Sequence, residues 1–404
     1  MSSHVNRLDR LNTPVMHDSK LVPVAWAVCA IGIAAFTACF FIEGGAPRAW
    51  SSLLAGLMLP LWLAVGSIFF LSVHALCGAR WTVPLQNVMQ GVGAGLPLAI
   101  LGLLAIGLFG IPFIYEWAHG NPARDSLFRD PNGSKALWMS ETRWFATVAA
   151  ILCVLLVLAR GLARLGTVVD EAGRARLVRW SVISLVLLVP TFTMLMWDTL
   201  LTLHVQWVSA VFGGYCLIAA IHAFLGCTAI LLVWLGRSGK GLHPVVAPHL
   251  RKDLATWMIA WSCIVAYISY VQYTIIAFAN LDEETFWYLM RAQHGYGTQA
   301  VVEVVLRCAI PFTLLMSQSL RTKPWALSTA GVCILLGSWL EIHWLIIPAF
   351  SPNHYRHPVG PEAMVALGFL AGSFLLAVRY WRRRGLVPHG DVRLLPAINA
   401  EHLH

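Results

Sequence analysis

What this chain has least of is charge. Only 12% of its 404 residues are Asp, Glu, Lys or Arg, against 58% apolar, and no stretch stays polar long enough to build a sizeable soluble domain. Cysteine pairs at metal-binding spacing are also missing. There is no CxxC, no CxxCH and no Cys/His ladder, so iron–sulfur clusters, covalent haem and structural zinc have no evident ligands. All nine cysteines, from Cys29 to Cys333, fall in apolar runs, where a free thiol behaves as a small hydrophobe. The N-terminal stretch lacks the small-residue cleavage site of a secretory signal, so the N-terminus is expected to be retained. The net charge of +9 is not gathered into a basic module, so it reads as a topological bias, with attraction to anionic lipid as a second reading, rather than as a nucleic-acid signal.

What is present is a succession of long apolar runs. Spans are predicted at about 22–42, 53–77, 88–114, 143–164, 179–198, 207–236, 253–278, 298–318, 325–347 and 363–381, each long enough to cross a ~30 Å hydrocarbon layer as one helix. Ten spans put both termini on one side. Lys and Arg gather there, with Arg80, Arg160, Arg164, Arg174, Arg176, Arg179 and the run Arg382–Arg384, so the positive-inside rule makes both termini cytoplasmic. The expected organisation is an all-α integral membrane protein with a cytoplasmic tail over 1–20, a ten-helix transmembrane domain over 21–384 and a second cytoplasmic tail over 385–404. The longest outer loop, Glu116 to Glu141, carries NPARDSLFRDPNGSK, turn chemistry that suits either a docking surface or a plain solvated loop.

The seventh run holds Tyr267, Tyr270 and Thr274 at i, i+3 and i+7, with Ser269, Gln272 and Tyr273 close by. Lipid offers such groups no partners, so the stripe is expected to face inward, lining a wet seam or bonding across helices as packing glue. Ionisable groups inside spans are expensive and read as functional by default. Glu303 and Arg307 stand at i, i+4, four residues before Pro311, and Glu341 and His343 lie late in the ninth span. Counted along the helices, these four share a depth with Asp198, Gln272 and Tyr273. One outer-leaflet cluster built from four helices is expected. With His204 and Tyr267, these residues are the candidates for a proton path or the border of a quinol-accessible cavity. His74 and His222, in the similar phrases HALCG and HAFLG, read as an inner-side proton relay, as satisfied core histidines or, less readily, as axial ligands of a b-type haem.

Three segments carry a family resemblance. Ala266-Tyr267-Ile268-Ser269-Tyr270-Val271-Gln272-Tyr273, followed by Ala279-Asn280-Leu281-Asp282-Glu283-Glu284-Thr285 and Trp287-Tyr288, resembles the AYIxFSQY…ANxPEETxWY signature of the F-type integral membrane subunit of bacterial alternative complex III, a quinol:electron-acceptor oxidoreductase. Asp198 to Tyr215 is similar to that family's DWxMSLxPHWFSTxFGxY at Asp198, Leu203, Trp207, Ser209, Phe212, Gly213 and Tyr215, and Gly78-Ala79-Arg80-Trp81 to its GAxW turn. Departures stand at Gln86, Asn87 and Gln90, where the family has Arg-Arg and a Glu, and at Val205-Gln206, Ala277 and Asp282. The charged cytoplasmic relay that the family runs through its third span is therefore in doubt here.

The resemblance implies two four-helix bundles plus a peripheral helix pair, the fold of polysulfide-reductase and nitrite-reductase membrane anchors, in a bacterial inner membrane. It implies as partners a paralogous ten-helix quinol-binding subunit, a periplasmic iron–sulfur protein and c-type cytochromes. Haem and iron–sulfur centres then belong to those partners, and this chain holds no covalent cofactor and no metal. The function expected is a subunit without catalytic activity of its own, a scaffold with a proton path near the periplasmic side. The alternatives are a quinol-binding anchor of a molybdopterin and iron–sulfur oxidoreductase, with a quinone ring near Trp207, Tyr267 and Tyr273, and a transporter, for which no matched pair of Gly/Pro breaks is found in the two halves.

Overall fold

The computed structural model describes residues 21–42, 44–118, 134–237, 242, 248–292, 295–350 and 359–399. No strand occurs among them. Ten helices are long and apolar enough to cross a membrane: α1 Leu21–Cys39, α2 Gly45–Leu76, α3 Val83–Ile114, α4 Glu141–Leu165, α5 Glu171–Leu203, α6 Phe212–Leu235, α7 Pro248–Ala279, α8 Tyr296–Met316, α9 Pro324–Phe350 and α10 Gly360–Arg384. The chain is thus an all-α multi-pass membrane protein. Below, "inner" means the side where α1 begins and α10 ends, and "outer" the opposite side. The expected tail over 1–20 and residues 119–133 of the outer loop lie outside the described residues.

The helices sort by whom they touch. α2 to α5 form one bundle and α6 to α9 a second, joined where α2 packs on α6, while α1 and α10 form a pair laid against α2 and α3. α2 is buried along nearly its whole length, whereas α1 is almost entirely outward-facing. A helix apolar all round suits either place. What keeps α2 inside is its neighbours on every side and its serines Ser51, Ser52, Ser67 and Ser72, spread around the helix and all buried.

α2 begins eight residues before its expected start at 53. Its first turn carries Arg48, which reads as loop charge in the sequence but is buried and paired with Glu362 at the start of α10, Nε to Oε1 3.0 Å. α5 starts eight residues early as well, with Asp170 as its N-cap, accepting from the Gly173 backbone N–H at 2.6 Å. Residues after α10, expected as a free tail, pack back on the inner surface. Leu386, Val387, Leu394 and Ala397 are buried, and Arg393 bonds Gln86 Oε1 at 3.2 Å and the Gly166 carbonyl at 2.9 Å. The Asn87 side-chain amide donates to the Arg384 and Gly385 carbonyls. Gln86 and Asn87, two of the departures from the family pattern, therefore anchor the C-terminal segment.

The second bundle is drawn tight by glycine. A Cβ on Gly226 of α6 would lie 2.8 Å from Ile334 Cγ2 and 3.1 Å from the Gly331 carbonyl, and one on Gly331 of α9 would lie 2.7 Å from the Gly226 carbonyl. Two backbones meeting this closely leave no room for a side chain, the usual device of membrane helix pairs. Gly331→Val is expected to destabilise the fold by about 1–3 kcal/mol through overpacking. Gly214→Ala, with nothing within 4 Å of the added carbon, is expected to be close to neutral. Thermal unfolding in detergent checks the contrast, and equal midpoints for the two variants would refute it.

Candidate functional site

The polar groups of the second bundle assemble around one arginine. Gln299, Glu303 and Arg307 follow at i, i+4 and i+8 on α8 and so share one face. Arg307 is fully buried, and its Nη1 donates to Glu303 Oε1 at 3.0 Å and also to Glu341 Oε2 of α9. It reaches α9 over Gly337, where an added Cβ would sit 2.3 Å from Arg307 Cγ. A glycine one turn before Glu341 thus makes the passage for the guanidinium stem.

The backbone carries the next link. Pro311 has no N–H to give the Arg307 carbonyl, and residues Val305–Ala309 widen into a π turn. That carbonyl instead accepts the Ser262 hydroxyl of α7 at 3.1 Å. Ser262 Oγ also lies 3.1 Å from His222 Nε2 of α6. Because the one hydroxyl hydrogen of Ser262 goes to Arg307, the bond from His222 must be donated by its Nε2–H, which leaves Nδ1 bare and without a partner.

Toward the outer side, Gln299 Nε2 donates to the Leu340 carbonyl at 2.8 Å and lies 3.0 Å from His343 Nδ1. A polar column therefore runs inward from His343 and Gln299 through Glu303, Arg307 and Glu341 to Ser262 and His222. At ~1.5 Å per residue, Arg307 lies about 16 Å from the outer end of α8 and His222 about 15 Å from that of α6, which is mid-membrane. Inward of His222 the bundle is filled by Leu225, Ala229, Leu232, Leu327, Ala330 and Ile334, all buried. Thr228 is polar there, but its hydroxyl is bonded to the Phe224 carbonyl of its own helix. The polar column ends at His222.

Two features make it more than a closed ion pair. Two carboxyls share one guanidinium, so the site is neutral only with one proton on the pair, and an uncompensated buried charge is costly. Several buried polar atoms also have no protein partner: Arg307 Nε and Nη2, Glu341 Oε1 and the Ser338 hydroxyl one turn away. Groups of this kind are ordinarily satisfied by internal water.

The expected single cluster divides in two, because Asp198 belongs to the first bundle. It takes both Arg143 nitrogens, at 2.8 and 3.1 Å, while its backbone carbonyl accepts Trp144 Nε1 and the Thr202 hydroxyl, each at 2.7 Å. Fully satisfied, it locks the outer ends of α4 and α5 together. The inward tyrosine stripe is also corrected. Tyr267, Tyr270 and Tyr273 are 66, 67 and 53% exposed, whereas Gln272 is buried. At about 100° per residue, Met258, Ser262, Val265, Gln272 and Ile276 fall on one line of α7, and Tyr267 points away from it. Of the three residues expected around a quinone ring, Tyr267 therefore stands apart, whereas Tyr273 packs on Tyr288, which meets Trp287 and through it Trp207. His222 joins the outer column rather than an inner relay. His74 stands apart near the inner end of α2, its Nδ1 bonded to the Phe70 carbonyl at 2.8 Å and its ring among Phe70, Trp81 and Trp257.

Above the column lies a short helix, Asp282–Ala292, entered through Asn280 at φ 48°, a left-handed turn that asparagine tolerates. Arg291 pins it as a roof. The guanidinium lies 3.6 Å from the Trp287 ring and donates to the carbonyls of Trp287, Trp344 and Leu345. Trp207 stacks on Trp287 at 4.2 Å. His204 sits edge-on to Phe286 under this roof, and its Nε2 is buried without a partner. Burial, helped by the Arg291 charge, pushes the His204 imidazole down to about 3. Ser262, Gln299, Tyr215 beside Glu341, Gly337 and Arg291 are absent from the sequence-based list of site residues. The spacing of Gln299 from Glu303 and of Ser262 from Met258 and Val265 carried the signal for two of them.

Among the described residues, no group of three or more His, Cys, Asp or Glu side chains is placed to hold a metal ion. No family model matches the chain, and no curated protein matches it.

Two outcomes follow. Arg307→Met strands two buried carboxyls, and breaking a buried pair from one side costs about 3–5 kcal/mol; adding Glu341→Gln is expected to recover part of that loss in thermal unfolding. Additive losses in the double variant would sink the shared-guanidinium arrangement. His204 stays neutral when folded but takes up a proton below about 6.5 once unfolded, so its contribution is present above that pH and is lost as pH falls toward 3. The unfolding midpoint of His204→Gln is expected to fall less steeply than wild type across that window, and parallel curves would count against it.

Proposed function

We propose that this chain is a membrane subunit of a quinol-oxidising respiratory complex of the alternative complex III type, in which the second bundle holds and releases protons toward the outer side. In this reading electrons travel through iron–sulfur and haem centres of partner subunits, and the chain sits in a bacterial inner membrane with its termini cytoplasmic. The observation that carries the proton part is the pair Glu303 and Glu341 on one Arg307, with orphaned polar atoms around it and the bonded pair Gln299 and His343 farther out. The sequence signature around Gln272 and Trp287 supports the respiratory part.

Chemically, the Glu303 and Glu341 carboxyls share one proton while Arg307 holds the remaining negative charge in place. A proton leaving the pair can pass outward only by a hydrogen-bonded route, and Gln299 with His343 marks its direction. The apolar fill beneath His222 blocks return to the inner side. A half-channel of this form couples charge to one face of the membrane without leaking across it.

The test is the assembled complex, purified gently and reconstituted in vesicles. Multihaem cytochrome and iron–sulfur subunits are expected to copurify. Glu303→Gln and Glu341→Gln are expected to leave assembly intact while lowering the number of protons released outside per quinol oxidised. Unchanged proton release in both assembled variants would remove the proton role. A chain that purifies with none of those partners would remove the respiratory assignment.

A further inference from the structure

The peripheral helix pair holds a groove that the proton column does not use. It has a volume of about 770 Å³ and runs along the seam of α1 and α10, floored by α2 and α3 at Leu53 and Leu98. Along most of its length the walls are apolar, with Trp26, Cys29 and Phe36 on one side and Phe369 and Leu376 on the other. Small residues open it. Gly372 lies on the wall, and an added Cβ there would press to 2.8 Å on Leu98.

The inner end differs in kind. Arg379, Arg382 and Arg383 line the groove there, all three exposed, and among the described residues that line it none is acidic. From Gly372 to Arg383 the helix rises about 17 Å, close to the ~15 Å of one leaflet's hydrocarbon, and the slot continues outward past that point to Val365 and Phe36. An apolar slot at least one leaflet deep with a ring of guanidiniums at its polar mouth has the two-part chemistry of one ligand class. Acyl chains fill the slot, and a phosphate takes the arginines through charge-assisted hydrogen bonds.

We propose that this groove is a binding site for an anionic phospholipid, its tails lying along the α1–α10 seam and its phosphate held by Arg379, Arg382 and Arg383. A zwitterionic lipid fits the slot equally but brings its own cation to the arginines, so the site selects by headgroup. Basic pockets between helices on the arginine-rich side of membrane proteins recognise acidic headgroups on these grounds. Such a lipid also has a structural consequence. α1 touches the rest of the protein chiefly through α10, the two backbones meeting closely where Gly32 faces Gly368, and a lipid along that seam covers the outward faces of both helices. The proposal does not rest on the respiratory reading.

The experiment uses the full chain, purified in mild detergent, stripped of lipid and titrated with phosphatidylglycerol or phosphatidylcholine, with bound lipid counted by native mass spectrometry. Phosphatidylglycerol is expected to be retained about tenfold more strongly. Arg379→Gln/Arg382→Gln/Arg383→Gln is expected to abolish that preference, whereas Arg160→Gln/Arg164→Gln, exposed on the same side at the end of α4, keeps it. Gly372→Leu is expected to lower retention of both lipids by filling the slot. Equal retention of the two lipids by wild type, or an undiminished preference in the triple arginine variant, would overturn the proposal. Displacement of the lipid by inorganic phosphate alone, or a quinone found in its place, would overturn it too.

Discussion

The second bundle is organised by the requirement that a guanidinium at mid-membrane must not be left alone. Arg307 is fully buried, and a lone charge at that depth is among the most expensive features a membrane protein can carry. Its neighbours follow from that constraint. Glu303 stands one turn above it, Glu341 faces it from α9, Gly337 clears the path between the helices, and the π turn of α8 opens its carbonyl to Ser262. With two acids for one base, the arrangement over-compensates by one charge, and the proposed proton role rests on that surplus.

The contrast with Arg143 and Asp198 sharpens the point. That pair is one-to-one and bidentate, and the backbone carbonyl of the acid is bonded as well. It has no orphaned oxygen and no excess charge, so it can lock α4 to α5 but has nothing to exchange. Arg48 with Glu362 likewise ties the outer ends of α2 and α10. These arginine–carboxylate contacts therefore differ in consequence, and stoichiometry separates the Arg307 site from the other two.

Much of the fold was legible in the sequence because lipid makes the reading easy. Each apolar run must be a helix, since no other single segment satisfies its backbone in hydrocarbon. The errors at helix ends share a cause: Arg48 and Arg174 look like loop charges, yet a helix may begin with an arginine when a carboxylate or water meets it. The site was half legible. Spacing gave the Glu303–Arg307 pair, and counting along the helices placed Glu341 beside it. Depth alone could not tell Asp198 from Glu303, because two residues level in the membrane may stand in different bundles. The tyrosines of α7 misled for a related reason. A polar stripe announces a phase, but whether that phase faces protein is set by the line of Ser262, Val265 and Gln272, which is less conspicuous than three tyrosines.

The roof over the column makes the two ends of the second bundle unlike. On the inner side the seal is packing: Leu225, Leu232, Leu327 and Ile334 are buried, and the Thr228 hydroxyl among them is held by its own helix. On the outer side the seal is one helical segment held by Arg291 through three carbonyl bonds and a stacked Trp287. Hydrogen bonds to carbonyls can be exchanged for water one at a time, whereas a close-packed apolar plug opens only if helices move apart. Any traffic between Glu341 and bulk water is therefore biased outward by the nature of the two barriers, before any partner subunit is considered. In the proposed proton role, direction thus follows from what closes each end as much as from which residues line the column.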